Sequence, residues 1–513
     1  MHLTADRYRK ILQFLILLLF VTYIFLLVKT AWLGDDAYIT FRTIDNFVNG
    51  YGLRWNIAER VQSFTHPLWL LLLSGIYFFS REIFITSLIA SIVISIIAVV
   101  ILTFRSSVSQ ENKLFVLLAL VFSKAFIDYS TSGLENPLTN LLLVLFAIFY
   151  LKGEVSRKSV FLLSFLSSLI LINRIDSFLL IFPGFVYYVY KNKGYKNFSF
   201  IILGFSPFIL WELFSVWYYG FPFPNTAYAK LSHGIPQWDI IYEGIKYYQA
   251  SFLVDPLTLS VIFLSIFLCF LKRAKPLFAL CFGIILYLVY VVWIGGDFMA
   301  GRFFTAPFIV SLIILINIPR NIKYEYLFIL LIVIFSGSFS FYNTITKTSS
   351  NTHSKSIVDE RLLYYRFSNL LSAIQGKEMP VHNWVANGKS AKEAQQKIVD
   401  LYSTGFYGFY VGTNCYIIDK LGLCDPLLSK LPCEIPWRIG HYRRRIPEGY
   451  KETLEFGVNQ IQDQNLSKYY DEIVIITRGD LCDFKRLEVI WKMNSGQFNY
   501  LLDNYVNSIK RQK

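Results

Sequence analysis

The chain has 513 residues, with 49 basic against 35 acidic side chains for a net charge of +14, and it is 55% apolar, 18% aromatic and only 16% charged. A water-soluble protein carries about 25% charged residues, so much of this surface is expected to face something other than water, which argues against an ordinary cytosolic enzyme. The wealth of aromatic and aliphatic side chains excludes disorder, and nucleic acid is not an expected partner because much of the positive charge lies in loops between apolar runs.

In chain order, Arg7, Arg9 and Lys10 precede an apolar run over 11–32 interrupted by Lys29 alone. As a helix at ~1.5 Å per residue this run is ~33 Å long, enough to cross a hydrocarbon core of ~30 Å. It continues past the length of a signal-peptide core without a small-residue cleavage site, so it reads as a retained anchor. Residues 33–66 form the first external loop. The stretch 67–79 is expected to lie at or dip into the outer interface, because a crossing there would put the later basic loops on the wrong side.

Apolar runs follow at 83–104, 114–127, 138–151, 159–173, 177–190, 198–217, 252–271, 277–294, 303–319 and 324–341. The connectors with Arg105 and Lys113, Lys152 to Lys158, Lys191 to Lys196, Lys272 to Lys275 and Arg320 to Lys323 are basic and belong on the cytoplasmic side. The expected fold class is a polytopic α-helical membrane protein of the inner (plasma) membrane, with about 11 crossings, an inner N-terminus and an external C-terminus. Residues 1–341 would form the transmembrane domain and 342–513 a small extracytoplasmic α/β domain, long enough to be compact. There Tyr364, Phe367, Leu370 and Leu371 fall at helical spacing, while 415–418 and 473–477 read as short buried strands.

Cys415, Cys424, Cys433 and Cys482 fall in that external part, where an oxidising compartment allows pairing in any of three connectivities. Their spacing lacks the C-x-x-C pair of a zinc knuckle. Cys269 and Cys281 lie in apolar runs as packing residues.

Gly34-Asp35-Asp36-Ala37-Tyr38 places two adjacent carboxylates just beyond the first anchor. Such neighbours repel, which raises the proton affinity of one unless a cation sits between them. The pair can serve as a general base, hold a divalent cation, or simply open a helix through Tyr38 and Phe41. Other polar groups recur at the same expected face: Glu135, Arg174 with Asp176, Asn225 with Lys230, and Asp297 with Arg302. Ionisable groups at the edge of the hydrocarbon are costly and suggest a site, or else mutual neutralisation of Arg174 by Asp176 and of Arg302 by Asp297. The chain has neither a G-x-x-x-x-G-K-[ST] loop nor a G-x-G-x-x-G turn for a nucleotide. An external sugar donor would then be a polyprenyl phosphate lipid, with Asp35 or Asp36 as base for the acceptor hydroxyl and Lys230, Arg174 or Arg302 holding the departing phosphate.

The order Asp35-Asp36-Ala37-Tyr38-Ile39-Thr40-Phe41-Arg42, then Gly50-Tyr51-Gly52-Leu53-Arg54-Trp55-Asn56, Glu59-Arg60-Val61 and Pro67-Leu68-Trp69, resembles the GT-C class of membrane glycosyltransferases. Within that class it is most similar to the cell-wall terminal arabinofuranosyltransferases that use decaprenyl-phospho-arabinose. The resemblance runs on through Gly133-Leu134-Glu135, Pro224-Asn225-Thr226, Gly295-Gly296-Asp297-Phe298-Met299, Gly301-Arg302, Asp425-Pro426 and Arg438-Ile439-Gly440-His441. Asn136 and Asn173 stand where the resemblance leads one to expect Thr, and His66 where it leads one to expect Asn. It implies Asp35 and Asp36 as catalytic residues, with Arg42, Glu135, Arg174, Asp176, Asn225, Lys230, Asp297, Arg302 and His441 binding substrate. The implied partners are a polyprenyl-phosphate sugar donor, a glycan, glycolipid or protein acceptor, and membrane lipid. The alternative reading is a transporter or flippase for a lipid-linked sugar with an external binding domain; against it, the polar groups gather at one face rather than at the midplane, and no repeat is visible.

Overall fold

The computed structural model describes residues 5–511 apart from 106, 155, 192, 194–197, 274, 320–322, 347–355 and 402. Lys196 and Arg320, which bound two of the basic connectors, lie outside the described residues. The chain separates into two compact units, each assembled from discontinuous stretches: 1–34, 82–207 and 237–380 in the first, and 35–81, 208–236 and 381–513 in the second. These units cut across the boundary expected at 341/342.

The first unit is helical. Among the described residues four helices are long and apolar enough to cross a membrane, Asp6–Thr30, Ile83–Phe104, Phe198–Tyr219 and Lys275–Trp293, and the pair Gln237–Val254 and Pro256–Lys272, bent by 113°, makes a fifth if counted as one span. About eleven were expected. The difference has a physical origin in helix length: Asn136–Lys152 and Arg157–Asn173 have 17 residues, Phe178–Lys191 has 14, and Gln110–Phe122 and Thr305–Asn317 have 13. At ~1.5 Å per residue even the longest of these is ~26 Å, short of a ~30 Å core. The run expected at 114–127 is itself broken at Ser123, whose hydroxyl caps the short helix Lys124–Tyr129 by accepting from the Phe126 amide. Close packing relies on small residues: a Cβ on Gly283 would lie 2.1 Å from the Leu180 carbonyl oxygen, so the helices Lys275–Trp293 and Phe178–Lys191 meet through backbone there.

In the second unit, two hydrophobic clusters hold three stretches of sequence together. One packs Ile39 and Trp55 with Ala391, Tyr407, Val411, Cys415, Ile417 and Cys424; the other gathers Ile418, Leu427, Tyr450, Leu466, Tyr469, Ile473, Ile476 and Ile490, with Phe221 against it. Residues 381–511 therefore share their cores with 35–81 and 208–236 rather than forming a separate α/β body. The sheet is one parallel pair, β1 (Ile398–Leu401) and β2 (Tyr416–Asp419), in register from Ile398 opposite Tyr416 to Leu401 opposite Asp419.

Residues 473–477, expected as a strand, lie in the helix Gln464–Arg478. Its buried residues, Leu466, Tyr469, Tyr470, Ile473, Ile476 and Thr477, recur at three and four positions, so the apolar run is one end of a helical stripe, an ambiguity inherent in short runs. Residues 416–418 do enter a strand, whereas the helical spacing expected over 364–371 is broken: Tyr364 ends the helix Glu360–Tyr364, Phe367 lies in the turn that follows, and Leu370 and Leu371 open the helix Leu370–Ile374.

Four buried arginines stitch the second unit through main-chain carbonyls. Arg60 donates to Tyr218, Ile476 and Gly479; Arg444 donates to Ala229, Leu431 and Tyr442; Arg486 donates to Trp217, Tyr218, Ile476 and Leu481. The fourth is Arg42, described below. A planar guanidinium with five donors suits this work, and each such charged bond contributes about 1.5–3 kcal/mol.

Candidate active site

Asp35 and Asp36 stand in the first turn of the 14-residue helix Asp35–Val48, where carboxylates favour the positive end of the helix dipole. The inward face of that helix is aromatic. Tyr38 packs edge-on to Phe41, Phe406 and Phe409 with ring centres 5.0, 4.7 and 5.4 Å away. This packing brings Asp35 against the turn at Gly405-Phe406, and its Oδ1 accepts from the Phe406 amide at 2.6 Å. A Cβ on Gly405 would lie 2.6 Å from the Asp35 Cγ, so only a glycine lets the two segments approach this closely.

Asp35 is 8% exposed, and burial pushes its carboxyl up to about 7. The Phe406 and Gly405 amides oppose that rise, and the Asp36 charge adds to it. Asp36 is less buried than its neighbour. A carboxyl poised near neutrality is suited to taking a proton from a hydroxyl.

Among the described residues no three His, Cys, Asp or Glu side chains gather to hold a metal ion. The donors present for a divalent cation are the two neighbouring carboxylates, and one Asp35 oxygen already accepts from Phe406. A carboxyl that holds its proton up to about 7 fits a base better than a standing ligand.

Arg42 is a framework residue rather than a substrate ligand. Its Nε donates to Trp55 O at 2.8 Å, Nη2 to Cys415 O at 3.0 Å and Nη1 to Gly408 O, and the guanidinium lies 4.7 Å over the Trp55 ring. Asn225 is likewise committed: its amide donates to the carbonyls of Gly422, Leu423 and Asp425, and its oxygen accepts from Ser429. Lys230, on the same short helix Asn225–Leu231, is exposed and has no ion-pair partner among the described residues. His441 sits half-buried in a tight turn paired with Arg438, its Nδ1 3.4 Å from Ile439 O. His66 bonds Thr40 at 2.9 Å.

In the first unit the structure joins five of the expected site residues. Glu135, fully buried, lies between two arginines: Arg174, which also grips Asp176 at 2.7 and 2.9 Å, and Arg302, 3.1 Å away, which also reaches Asp297 at 3.4 Å. Burial works against the Arg174 charge, yet Asp176 and Glu135 hold its pKa well above the ordinary arginine value.

The two asparagines expected as Thr frame this row. Asn136 donates to Thr305 at 2.9 Å and Asn173 to Thr139 at 2.8 Å. Gly301 turns the chain into Arg302 at φ +79°, with a Cβ there only 2.9 Å from the Ala125 Cβ. Three carboxylates against two guanidiniums leave the row with a net charge of −1, so Arg174 and Arg302 are poorly placed to receive a departing phosphate.

Sequence reasoning missed a second buried row in the same unit. Lys124 bonds Asp128 and, at 3.0 Å, Asp359, while Arg361 bonds Asp128. The Asp128 carbonyl accepts from the Trp32 indole at 2.8 Å, and Leu33 and Gly34 donate to Ser368 and Ser132. The signal was available: a lysine inside an apolar run is costly and calls for a partner. The buried Glu59, bonded to Tyr416 at 2.7 Å and to Arg478 at 3.2 Å, was missed as well.

No protein-family profile matches the chain. Over 518 aligned positions it is 24% identical to the terminal beta-(1->2)-arabinofuranosyltransferase of Mycobacterium tuberculosis (strain ATCC 25618 / H37Rv), with 82% of each chain covered. The chain is therefore similar, at a distance, to a glycosyltransferase, and its long apolar helices are those of a membrane protein.

Proposed function

We propose that this protein is a glycosyltransferase of the GT-C type that moves a sugar, arabinofuranose on the strength of the resemblance, from a polyprenyl-phosphate donor to an extracytoplasmic glycan, glycolipid or protein acceptor. The observation that carries the reading is Asp35: a buried carboxyl at a helix start, held by the Phe406 amide and poised at about 7. In the proposed step the acceptor hydroxyl gives its proton to Asp35 as its oxygen bonds to the anomeric carbon. The bond from that carbon to the phosphate oxygen breaks, and the electron pair leaves with the phosphate. Phosphate departs as an anion, so no separate acid is needed, only positive charge. Asp36 orients the acceptor. Of the three expected cations, Lys230 is the one uncommitted to an acid and is assigned to the leaving phosphate.

The test supplies the purified full chain with several polyprenyl-phosphate sugars and compares wild type with Asp35→Ala and Asp36→Ala. Turnover with at least one donor, lost in Asp35→Ala, supports the reading; equal turnover in both variants refutes the base. Turnover that survives excess chelator supports a base without a metal, and its abolition refutes that version. One observation favours transport as a second reading: the 113° bend at the buried Asp255, since transporters build sites on broken helices. Movement of a lipid-linked sugar across proteoliposomes without release of polyprenyl phosphate would support it.

A further inference from the structure

The helix Phe484–Asn494, in the second unit, buries one face and leaves a second apolar face bare. Arg486, Val489, Ile490 and Met493 are buried, and the last three join the cluster that gathers Tyr450 and Ile473. Phe484, Leu487 and Trp491 are 87, 41 and 71% exposed. Spaced by three and four positions, they form one stripe on the side of the helix away from Val489 and Met493. Single exposed apolar residues need no explanation, but a stripe carrying two aromatic rings marks a surface meant to be covered.

The place where this helix is fastened indicates the cover. Arg486 donates to the carbonyls of Trp217 at 2.7 Å and Tyr218 at 3.0 Å, and Asn494 donates to that of Gly220 at 2.8 Å. Those carbonyls lie at the end of Phe198–Tyr219, one of the helices long and apolar enough to cross a membrane. Gly220, at φ +83°, permits the approach, since a Cβ there would lie 3.3 Å from the Ile490 Cγ1. Over its last turns that span leaves Leu210, Leu213 and Trp217 exposed, the face a span offers to lipid, and aromatic side chains at a span's end mark the headgroup level. Leu487 follows Arg486 directly in the chain, so the stripe stands beside the end of the span. The charges around it nearly balance, Lys485 and Lys492 against Asp480, Asp483 and Glu488. Lys492 pairs with Glu488 at 2.6 Å, and Asp483 caps the helix by accepting from the Lys485 amide at 2.9 Å. Apolar insertion rather than attraction to anionic headgroups is therefore the driving force on offer.

We propose that Phe484–Asn494 is an interfacial helix lying in the plane of the membrane, with Phe484, Leu487 and Trp491 seated at the boundary between headgroups and acyl chains in the leaflet at the Tyr219 end of the span. The occupant of the stripe is the phospholipid surface of the membrane that the chain itself spans. An indole suits that boundary, because its ring is apolar while its N–H can donate to headgroup oxygens. Such a helix holds the unit that carries Asp35 against the lipid surface. The inference rests on the membrane character of the chain and not on transferase chemistry.

Nitroxide labelling of the full chain in phosphatidylcholine nanodiscs tests it. Phe484→Cys, Lys485→Cys, Leu487→Cys and Trp491→Cys are made singly over Cys433→Ser and Cys482→Ser, which remove the two cysteines that are not buried. Labels replacing Phe484, Leu487 and Trp491 are expected about 5–10 Å below the phosphates, open to dissolved oxygen and shielded from a water-soluble nickel chelate. The label replacing Lys485 should sit in water. Depths should not change when phosphatidylglycerol is mixed into the bilayer. In the unlabelled chain, Trp491→Phe should remove an emission component that lipids brominated high on the acyl chain quench, with no loss of melting temperature. Nickel access to the three stripe labels as free as at Lys485 would overturn the proposal. Shielding from both reagents would overturn it as well, because protein then covers the stripe, and so would spin–spin broadening between chains, because a second copy does. Insertion seen only in the anionic bilayer would refute the apolar driving force.

Discussion

Replacing Asp35 with Asn keeps the side-chain shape and an acceptor for the Phe406 amide but removes the charge. In the folded chain this carboxyl is pushed from 3.8 to about 7, chiefly by burial. Because the folded-state value is the raised one, the contribution of Asp35 to stability is fully present below pH 3.8 and is lost as pH climbs through about 7. At about 1.4 kcal/mol per pH unit, that interval amounts to about 4 kcal/mol at pH 8. Asp35→Asn should therefore be more stable than wild type by up to about 4 kcal/mol at pH 8, and by less than about 2 kcal/mol at pH 5, where only the unfolded carboxyl is ionised. Urea or thermal unfolding of the full chain in detergent at the two pH values measures the gap.

Activity should move the opposite way. Loss of a general base costs about 100- to 10,000-fold, and wild-type kcat/KM should rise about tenfold per pH unit up to about 7 before levelling. A gap that ignores pH, an Asn variant no more stable than wild type at pH 8, or retained turnover would refute the reasoning, because each would mean that Asp35 is not carrying a buried, titrating charge.

Glu135→Ala leaves two buried guanidiniums facing each other and should destabilise the chain by about 3–5 kcal/mol, read from the melting curve, with Glu135→Gln losing less because it still accepts. Arg42→Lys should lower stability by about 3 kcal/mol and fail to rescue an Arg42→Met variant, since an ammonium cannot reach three carbonyls at once; limited proteolysis of residues 381–511 would report the loosening. Gly405→Ala places a Cβ 2.0 Å from the Asp35 carbonyl oxygen, so turnover should fall and the rise of kcat/KM should move away from pH 7.

Much of the chemistry was legible because charge is expensive beside apolar sequence. Glu135, Arg174, Asp176, Asp297 and Arg302 each stood out for that reason, and the possibility that the pairs neutralise each other was also readable. What spacing could not give was the placing of Glu135 between both arginines, which turns two separate pairs into one row of net charge −1 and removes Arg174 and Arg302 as free phosphate holders. Nor could it separate Arg42 and Asn225 from substrate ligands, because a guanidinium spent on Trp55, Gly408 and Cys415 carbonyls looks the same in sequence as one awaiting an anion.

By itself the sequence determined a helical, membrane-embedded chain with an acidic helix start after its first anchor, because hydrophobicity, helix length and like-charge repulsion are local properties. Tertiary structure alone decided that the apolar run 473–477 is helical, that residues 35–81, 208–236 and 381–511 share one body, and that Asp35 rather than Asp36 is the more buried acid. Each of those outcomes depends on partners distant in the chain. The Phe406 amide lies 371 positions from Asp35, and no local pattern encodes which buried backbone group will meet which side chain.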